Sequence, residues 1–326
     1  MRGPKTEYHS IAQVGIEVMA HDREAAEGWL GGIRAAMRKR NVYRGHVLSL
    51  DETRMGSMEI KFHRLPSIRR EGIILPAGLL ERIERQTIRF SALSEQLLAS
   101  GRHLKRGILL HGAPGTGKTL TAMYVAQAIE NRTVLLLTGR GQRLIEPSCA
   151  LARALQPSII ILEDVDLVAE ERTRPGAACA APLLFELLNQ MDGLADDADV
   201  LFLLTTNRPD ILEPALAARP GRVDQAFEIP LPDAACRRRL FSLYAQGLAL
   251  GSVNLESCVQ RTEGASAAFI REMLRKAALF AADEGSEHVQ DRHFDDAIHE
   301  LVVEGGMLTR SLLGFASPQQ TGQEDR

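Results

Sequence analysis

The amino-acid sequence predicts an α/β fold organised around a parallel sheet, with a small α+β region before the sheet and a helical region after it. Short apolar runs without alternation recur between residues 72 and 232, and such runs are typical of strands covered on both faces. Segments of helical spacing separate the runs, which favours parallel pairing. The predicted strands are residues 107–110, 133–137, 159–162, 200–204 and 226–229.

The chain has 326 residues, more than one compact core usually organises, so we expect two or three domains. Changes of pattern divide it into an accessory, partner-binding region at 1–70, an α/β domain at 72–232 and a helical domain at 233–313. Residues 314–326 are predicted to be a disordered tail, because the segment after Ala316 carries almost no apolar side chains.

The accessory region contains a predicted helix and a predicted hairpin. Asp22 can cap the helix, and two alternating segments around residues 47–50 and 58–62 indicate the hairpin. The apolar positions that follow helical spacing are Ala26, Trp29, Leu30, Ile33, Ala36 and Met37.

Composition narrows the class of protein. A content of 45% hydrophobic and 25% charged residues is typical of a soluble globular chain, and a net charge of −3 gives no overall attraction to nucleic acid or to an anionic membrane. No apolar stretch approaches the roughly 20 residues that span a bilayer, and the first ten residues lead into no signal-type core, so we expect a cytoplasmic protein. The four cysteines form no CxxC pair, which indicates reduced thiols and argues against a structural metal site.

The strongest motif is GAPGTGKT at residues 112–119, directly after a predicted strand. Its glycines let successive backbone N–H groups point at phosphate oxygens, and the helix that begins near Gly117 adds its positive dipole end. Lys118 should contact the β- and γ-phosphates, and the Thr119 hydroxyl should ligate magnesium. The motif predicts a P-loop NTPase core, with nucleotide contacts from Gly112, Ala113, Pro114, Gly115, Thr116, Gly117, Lys118, Thr119 and Leu120.

A second motif, PSIIILEDVD at residues 157–166, is a buried strand that ends in Glu163, Asp164 and Asp166. Acids at the carboxyl end of a parallel strand lie beside the phosphate loop. One carboxylate there can hold magnesium and the next can polarise water.

The helical region after residue 233 begins its main helix near Ser266, a candidate cap. A second helix is predicted over residues 291–303. The apolar face of the main helix is formed by Ile270, Met273, Leu274, Ala277, Ala278 and Ala281.

Together these motifs resemble the AAA family of ATPases, over roughly residues 72–305. The family usually places Asp before Glu at the acidic strand end, for metal and water respectively, whereas this chain has Glu163 at the metal place and Asp164 at the base place. The exchange moves each carboxylate by about 1.5 Å, and a misplacement of that size can cost about 100-fold in rate. A branch that includes the mitochondrial translocase of the Rieske protein carries a similar Leu-Glu-Asp-Val-Asp run, so we expect hydrolysis to survive.

The same resemblance assigns three further residues. Asn207, after the strand at 200–204, is similar to the sensor that orients the attacking water. Arg219 and Arg222 are similar to arginine fingers that reach the γ-phosphate of a neighbouring subunit. The spacing from Pro214 to Arg219 is one residue longer than in most relatives, which affects the reach of both arginines.

Two segments depart from the family pattern. The segment at 261–279 resembles the helix of the family's lid domain, but Phe269 replaces an acidic residue. Members that thread polypeptides use an aromatic pore residue, and this chain has no Phe, Tyr or Trp between Tyr124 and Phe185. Arg140 and Arg143 would give a basic pore lining instead.

The resemblance implies an ATPase that hydrolyses Mg-ATP in a homo-oligomeric ring, with six subunits expected, and remodels an unidentified protein partner. Asp164, Glu163, Asn207, Arg219 and Arg222 would carry the chemistry, and Thr119 with Glu163 would hold magnesium. The alternative is a nucleotide-gated scaffold that binds ATP but hydrolyses it poorly, because the acids are exchanged. A third hypothesis, a nucleic-acid-linked ATPase, is disfavoured by the near-neutral charge.

Overall fold

A computed structural model of the protein describes residues 17–53, 57–138, 144–166, 182–192, 198–210, 212, 223–304 and 314. The predicted tail and the first 16 residues lie almost entirely outside these ranges. Within them, no helix is both long and apolar enough to cross a membrane.

Seven strands of the described chain form one sheet in the order β2-β1-β4-β5-β6-β3-β7. The pairing is parallel throughout except between β1 and β2. All five strands predicted from apolar runs are confirmed, with ends that differ by at most two residues. The strands are β1 (Val47–Glu52), β2 (Met58–His63), β3 (Arg106–His111), β4 (Thr133–Leu137), β5 (Ser158–Leu162), β6 (Val200–Thr206) and β7 (Gln225–Glu228).

Helices flank the sheet and form the C-terminal region. The predicted caps are confirmed: Asp22 accepts a hydrogen bond from the backbone N–H of Ala25, and Ser266 accepts one from Phe269. The predicted helix at 291–303 changes to a π-helical turn over Glu300–Glu304. The α-helices are α1 (Arg23–Lys39), α2 (Leu79–Glu84), α3 (Phe90–Ala92), α4 (Ser94–Ala99), α5 (Lys118–Ala128), α6 (Ile145–Ala154), α7 (Pro182–Asp192), α8 (Ala234–Tyr244), α9 (Leu255–Arg261), α10 (Ala267–Asp283) and α11 (Asp291–His299).

Both faces of the sheet are covered, so successive strand residues enter two different cores. On one face Ile160 and Phe202 pack with residues of α6 and α7. On the other face Ile159 and Leu203 pack with residues of α5. Burial on both sides explains why these strands appear as continuous apolar runs.

The C-terminal helices have a core of their own. Phe269, Ile270 and Met273 of α10 are buried together with Phe294 of α11. Phe269, which stands where the family pattern has an acidic residue, is therefore a packing residue in this chain. Its 1% exposure leaves no route for its side chain to contact solvent or a ligand.

The predicted hairpin is confirmed as the antiparallel pair β1–β2, but it does not stand apart from the α/β domain. β1 runs parallel to β4, with Leu48 opposite Leu135, so the hairpin extends the main sheet. The predicted boundary between residues 70 and 72 therefore cuts between strands of a single sheet. The alternation of a strand shows which of its faces is buried, whereas its neighbour is chosen by tertiary contacts.

The described cysteines are structural. Cys149, Cys236 and Cys258 are buried and unpaired. Burial raises the pKa of the Cys149 thiol to about 12 and those of Cys236 and Cys258 to about 11, so these thiols stay protonated and unreactive at neutral pH. Cys179 lies outside the described residues.

Because β1 belongs to the main sheet, Leu48→Ala should destabilise the whole α/β domain. Leu48 is fully buried, so we expect a loss of about 2–5 kcal/mol in the free energy of unfolding, within the same transition as the rest of the sheet. Urea denaturation followed by circular dichroism would measure it. Met58→Ala, at a half-exposed position of β2, should cost less than about 1 kcal/mol, and a separate early transition in the Leu48 variant would contradict the assignment.

Candidate nucleotide-binding site

The loop between β3 and α5 takes a conformation that requires glycine at three positions. Gly112, Gly115 and Gly117 have φ angles of 144°, 72° and 104°, in the region that other residues rarely enter. A Cβ atom on Gly112 would overlap the Ile229 carbonyl oxygen, and one on Gly115 would lie 2.7 Å from Ser266 Oγ. The loop is thus tightly curled between β7 and the start of α10.

Helix α5 begins immediately after this loop, at Lys118. No described side chain caps its N-terminus, where Gly117 is the N-cap residue. The first-turn N–H groups and the positive end of the helix dipole are therefore available to an anion. The place of the loop between β3 and α5, and the positive φ angles of its glycines, agree with the predicted phosphate cradle.

Lys118 lies inside the loop. It is only 6% exposed, and its Nζ donates hydrogen bonds to the carbonyl oxygens of Gly112 at 2.9 Å and Ala113 at 2.8 Å. Burial lowers the pKa of its ammonium group, and the charges of Asp164 and Asp166 oppose that shift. The cation is thus held at the mouth of the cradle, facing the acidic strand end.

The two predicted metal ligands, 44 positions apart in the chain, lie side by side. The Thr119 hydroxyl donates a hydrogen bond to the Glu163 carboxylate, which opposes the rise in the pKa of Glu163 caused by burial and by the charge of Asp164. A hydroxyl beside a carboxylate suits Mg²⁺, which takes oxygen ligands and binds through one or two carboxylates plus substrate phosphates. In the described ranges no cluster of three or more His, Cys, Asp or Glu side chains could cage a metal by itself.

The predicted base and the predicted sensor are in contact. The amide Nδ2 of Asn207 donates a hydrogen bond to Asp164 Oδ1 at 3.1 Å. The backbone N–H of Asp164 donates to Thr205 Oγ1 at 3.2 Å. Asp164 has a φ of 48°, a strained value for a residue with a Cβ, and such strain concentrates at functional sites.

Asp166 is a residue whose role the sequence analysis left open. It is 5% exposed and accepts hydrogen bonds from Thr206 Oγ1 at 2.7 Å and from the backbone N–H of Asn207 at 3.2 Å. The signal that would have pointed to it is the Thr205–Thr206 pair at the end of a buried strand, because buried hydroxyls need partners.

A cleft of about 1020 Å³ opens beside the loop, between the α/β domain and the C-terminal helices. Its lining includes Ile73 and Ile74, Leu240 and Tyr244 of α8, and Ala268 of α10. Apolar walls next to a phosphate cradle suit a purine base. The lining residues come from segments far apart in the chain.

The start of α10 also contacts the phosphate loop directly. The backbone N–H of Ala268 donates a hydrogen bond to the Gly115 carbonyl at 3.1 Å. The small side chains at positions 267 and 268 allow this approach.

Four predicted residues cannot be placed by the structure. Arg219 and Arg222, the proposed fingers, lie outside the described residues, as do Arg140 and Arg143. Their roles stay predictions.

Comparison with known proteins gives two family matches. The model of the "ATPase family associated with various cellular activities (AAA)" matches residues 108–231, and the model of the "AAA+ lid domain" matches residues 252–296. The first match contains the phosphate loop, the acidic strand end and Asn207, and the second contains the start of α10. The likeness of the acidic run to the Rieske-protein translocase branch stays a prediction.

The relatives include 26S proteasome regulatory subunits and proteasome-activating nucleotidases. A 26S proteasome regulatory subunit, S10B homolog B of Arabidopsis thaliana, is 34% identical over 67% of this chain and 57% of its own length. A proteasome-activating nucleotidase of Methanothermobacter thermautotrophicus is 33% identical over 69% and 58% respectively. The proteasome-activating nucleotidase of Thermococcus onnurineus is 29% identical over 91% of this chain and 81% of its own length. The chain thus spans less than two thirds of the first two relatives.

The buried Glu163 carboxyl should make stability depend on pH. Its raised pKa means that the folded chain binds this proton more tightly than the unfolded chain, so the destabilisation it causes is present at neutral pH and disappears as the pH falls through the folded pKa toward 4.5. Glu163→Gln should therefore raise the Tm at pH 7, in buffer without magnesium or nucleotide, and the gain should shrink on acidification.

Thermal unfolding across a pH series measures this effect. Glu95→Gln, at an exposed position of α4, is the matched control and should show no such gain. A Glu163→Gln gain that stays constant with pH would contradict the assignment.

Proposed function

Because the chain belongs to the AAA family of ATPases and carries the AAA+ lid domain, we propose that it hydrolyses Mg-ATP within a ring of identical subunits and uses the cycle to remodel a protein partner. The observation that carries this proposal is the convergence of Thr119, Glu163, Asp164 and Asn207 beside Lys118. These residues come from three separate segments, and their contacts match the chemistry of phosphoryl transfer to water.

The phosphate loop would bind the triphosphate, with Lys118 neutralising charge on the β- and γ-phosphates. Thr119 and Glu163 would hold Mg²⁺, which when bound draws negative charge from the phosphate oxygens. Their mutual hydrogen bond holds both oxygens at one place before any metal arrives. The apolar cleft beside Ala268 would hold adenine.

Asp164 would accept the proton of the attacking water, and Asn207 would help to orient that water. The Asn207 amide already contacts one carboxylate oxygen of Asp164, which leaves the other oxygen for the water. The left-handed backbone of Asp164 supports this role, because it gives the shorter side chain a direction that an extended backbone would not.

Ring assembly is supported by the chemistry of the site as well as by the family. The described part of the site has one loop cation, Lys118, and the transition state spreads charge over three phosphoryl oxygens. Arg271 and Arg275 of α10 also line the cleft, and we propose that Arg219 and Arg222 of an adjacent copy add further positive charge, in a ring of six subunits. A head-to-tail ring gives every site the same neighbour.

The relatives' names connect them with the proteasome, which supports a protein as the remodelled partner. This chain spans under two thirds of the first of those relatives, so proteasome binding is not carried over to it. We propose a cytoplasmic location and no dependence on nucleic acid. The alternative, a nucleotide-gated scaffold, draws support from the exchanged order of Glu163 and Asp164.

Two variants separate hydrolase from scaffold. Asp164→Asn should lower kcat for ATP about 100-fold or more, because the water loses its proton acceptor, while the Kd for ATP changes little. Lys118→Ala should abolish ATP binding. Steady-state turnover and nucleotide titration measure both quantities. Unchanged turnover in Asp164→Asn, with binding lost in Lys118→Ala, would establish the scaffold.

Mixing two inactive variants tests whether the arginines act on a neighbour. The double variant Arg219→Ala/Arg222→Ala and the variant Asp164→Asn should each be inactive alone. In a random mixed ring, about a quarter of the interfaces join an intact Asp164 to intact arginines of the next subunit, so activity should return in part.

The specific activity of the parent protein should also fall on dilution, because separated subunits lose the neighbour's arginines. No recovery on mixing, or full activity at every dilution, would contradict action in trans.

A further inference from the structure

We propose that Asp166 and Thr206 form a positioning pair that holds the Asn207 side chain against Asp164 and thereby sets the rate of hydrolysis. This inference rests on the proposed function, since it concerns the same reaction. Neither residue would touch the nucleotide. Both act through Asn207, so we class them as positioning residues.

The pair is a buried, charge-assisted contact. Thr206 Oγ1 lies 2.7 Å from Asp166 Oδ1. Asp166 Oδ1 also accepts a hydrogen bond from the backbone N–H of Asn207 at 3.2 Å. Thr206 is fully buried and Asp166 is 5% exposed. A hydrogen bond to a carboxylate is stronger and shorter than one between neutral groups, so this contact is well suited to fix a position.

The direction of the Thr206 hydroxyl follows from the chemistry of its partner. A carboxylate only accepts hydrogen bonds, so the Thr206 O–H donates to Asp166. The same hydroxyl oxygen accepts a hydrogen bond from the backbone N–H of Arg208 at 2.9 Å. The residues on either side of Asn207 are therefore tied to one another, and its backbone is held from both directions.

This arrangement decides where the Asn207 amide lies. Its Nδ2 is 3.1 Å from Asp164 Oδ1, while Thr205 Oγ1 accepts the backbone N–H of Asp164. Two acids that follow β5 are thus joined to three consecutive residues at the end of β6. The two strands are direct neighbours.

The exchanged acids make this positioning consequential. Asp164 is one methylene shorter than the glutamate usual at the base place, so its reach depends more on how the backbone and the amide direct it. A displacement of about 1 Å at a catalytic group can cost about 100-fold in rate. Loss of the Thr206–Asp166 contact would free the turn that carries Asn207.

The test removes the hydroxyl while keeping the side-chain volume. In the full-length chain, Thr206→Val should lower kcat by about 10- to 100-fold, with the KM for ATP and the Kd for a non-hydrolysable ATP analogue within about twofold. Thr206→Ser, which keeps the hydroxyl, should recover most of the rate. Thr262→Val is the matched control, because its equally buried hydroxyl bonds to the Cys258 carbonyl at 2.8 Å in the C-terminal helices, and it should leave kcat unchanged.

A double-mutant cycle separates positioning from mere stabilisation. On an Asn207→Ala background, Thr206→Val should have little further effect on kcat, because nothing remains to be positioned. Should Thr206→Val fail to fold, Asp166→Asn keeps the shape of the pair, removes its charge, and should show the same loss in kcat at unchanged KM.

The outcomes also separate this inference from the proposed function. The inference would be overturned, with the ATPase left intact, if Thr206→Val lowered kcat equally in the parent and in the Asn207→Ala variant. A parent-like kcat in both Thr206→Val and Asp166→Asn would overturn it as well. A parent chain without ATP turnover would overturn both.

Discussion

The site depends on the parallel alignment of β3, β5 and β6, which places the carboxyl ends of three strands at one edge of the sheet. Leu110 is opposite Thr205, and Leu162 is opposite Leu204. The phosphate loop, the acidic pair and the sensor turn each begin one or two residues beyond those positions. Their proximity therefore follows from the hydrogen-bonded register, and a shift of one residue would separate all of them.

The same edge concentrates unfavourable electrostatics that a nucleotide bound together with Mg²⁺ would relieve. Glu163 and Asp164 repel each other in a partly buried setting, and Lys118 is desolvated between loop carbonyls. Asp164 is also held in a left-handed conformation, which costs on the order of 1–3 kcal/mol. Strain and desolvation of this kind prearrange charges for a ligand, so a stable fold elsewhere has to support them. The two sheet cores supply that support.

The second constraint is close approach between the phosphate loop and the C-terminal helices. The Gly115 carbonyl accepts the Ala268 N–H, and a side chain on Gly115 would collide with Ser266 and Ala268. The orientation of the helical region is thus coupled to the loop that would bind the triphosphate.

Local pattern was sufficient for the strands, for the helices that begin after Asp22, Gly117, Ser266 and Gln290, for the caps at Asp22 and Ser266, and for the loop at residues 112–119. Each of these is decided by neighbours within a few positions: burial on both faces, a side chain that satisfies helix N–H groups, or glycines at positive φ. The placement of Glu163 beside Thr119 also followed, since parallel strand ends share an edge.

Only the tertiary structure decided which distant segments meet. It showed that β1 pairs with β4, that Ile73 and Tyr244 line the same cleft, and that Asp166 is a partner of Thr206. Phe269 was recognisable as a departure from the family pattern, but its burial in a separate helical core was not. Such pairings depend on packing between segments far apart in the chain, and local periodicity carries no information about them.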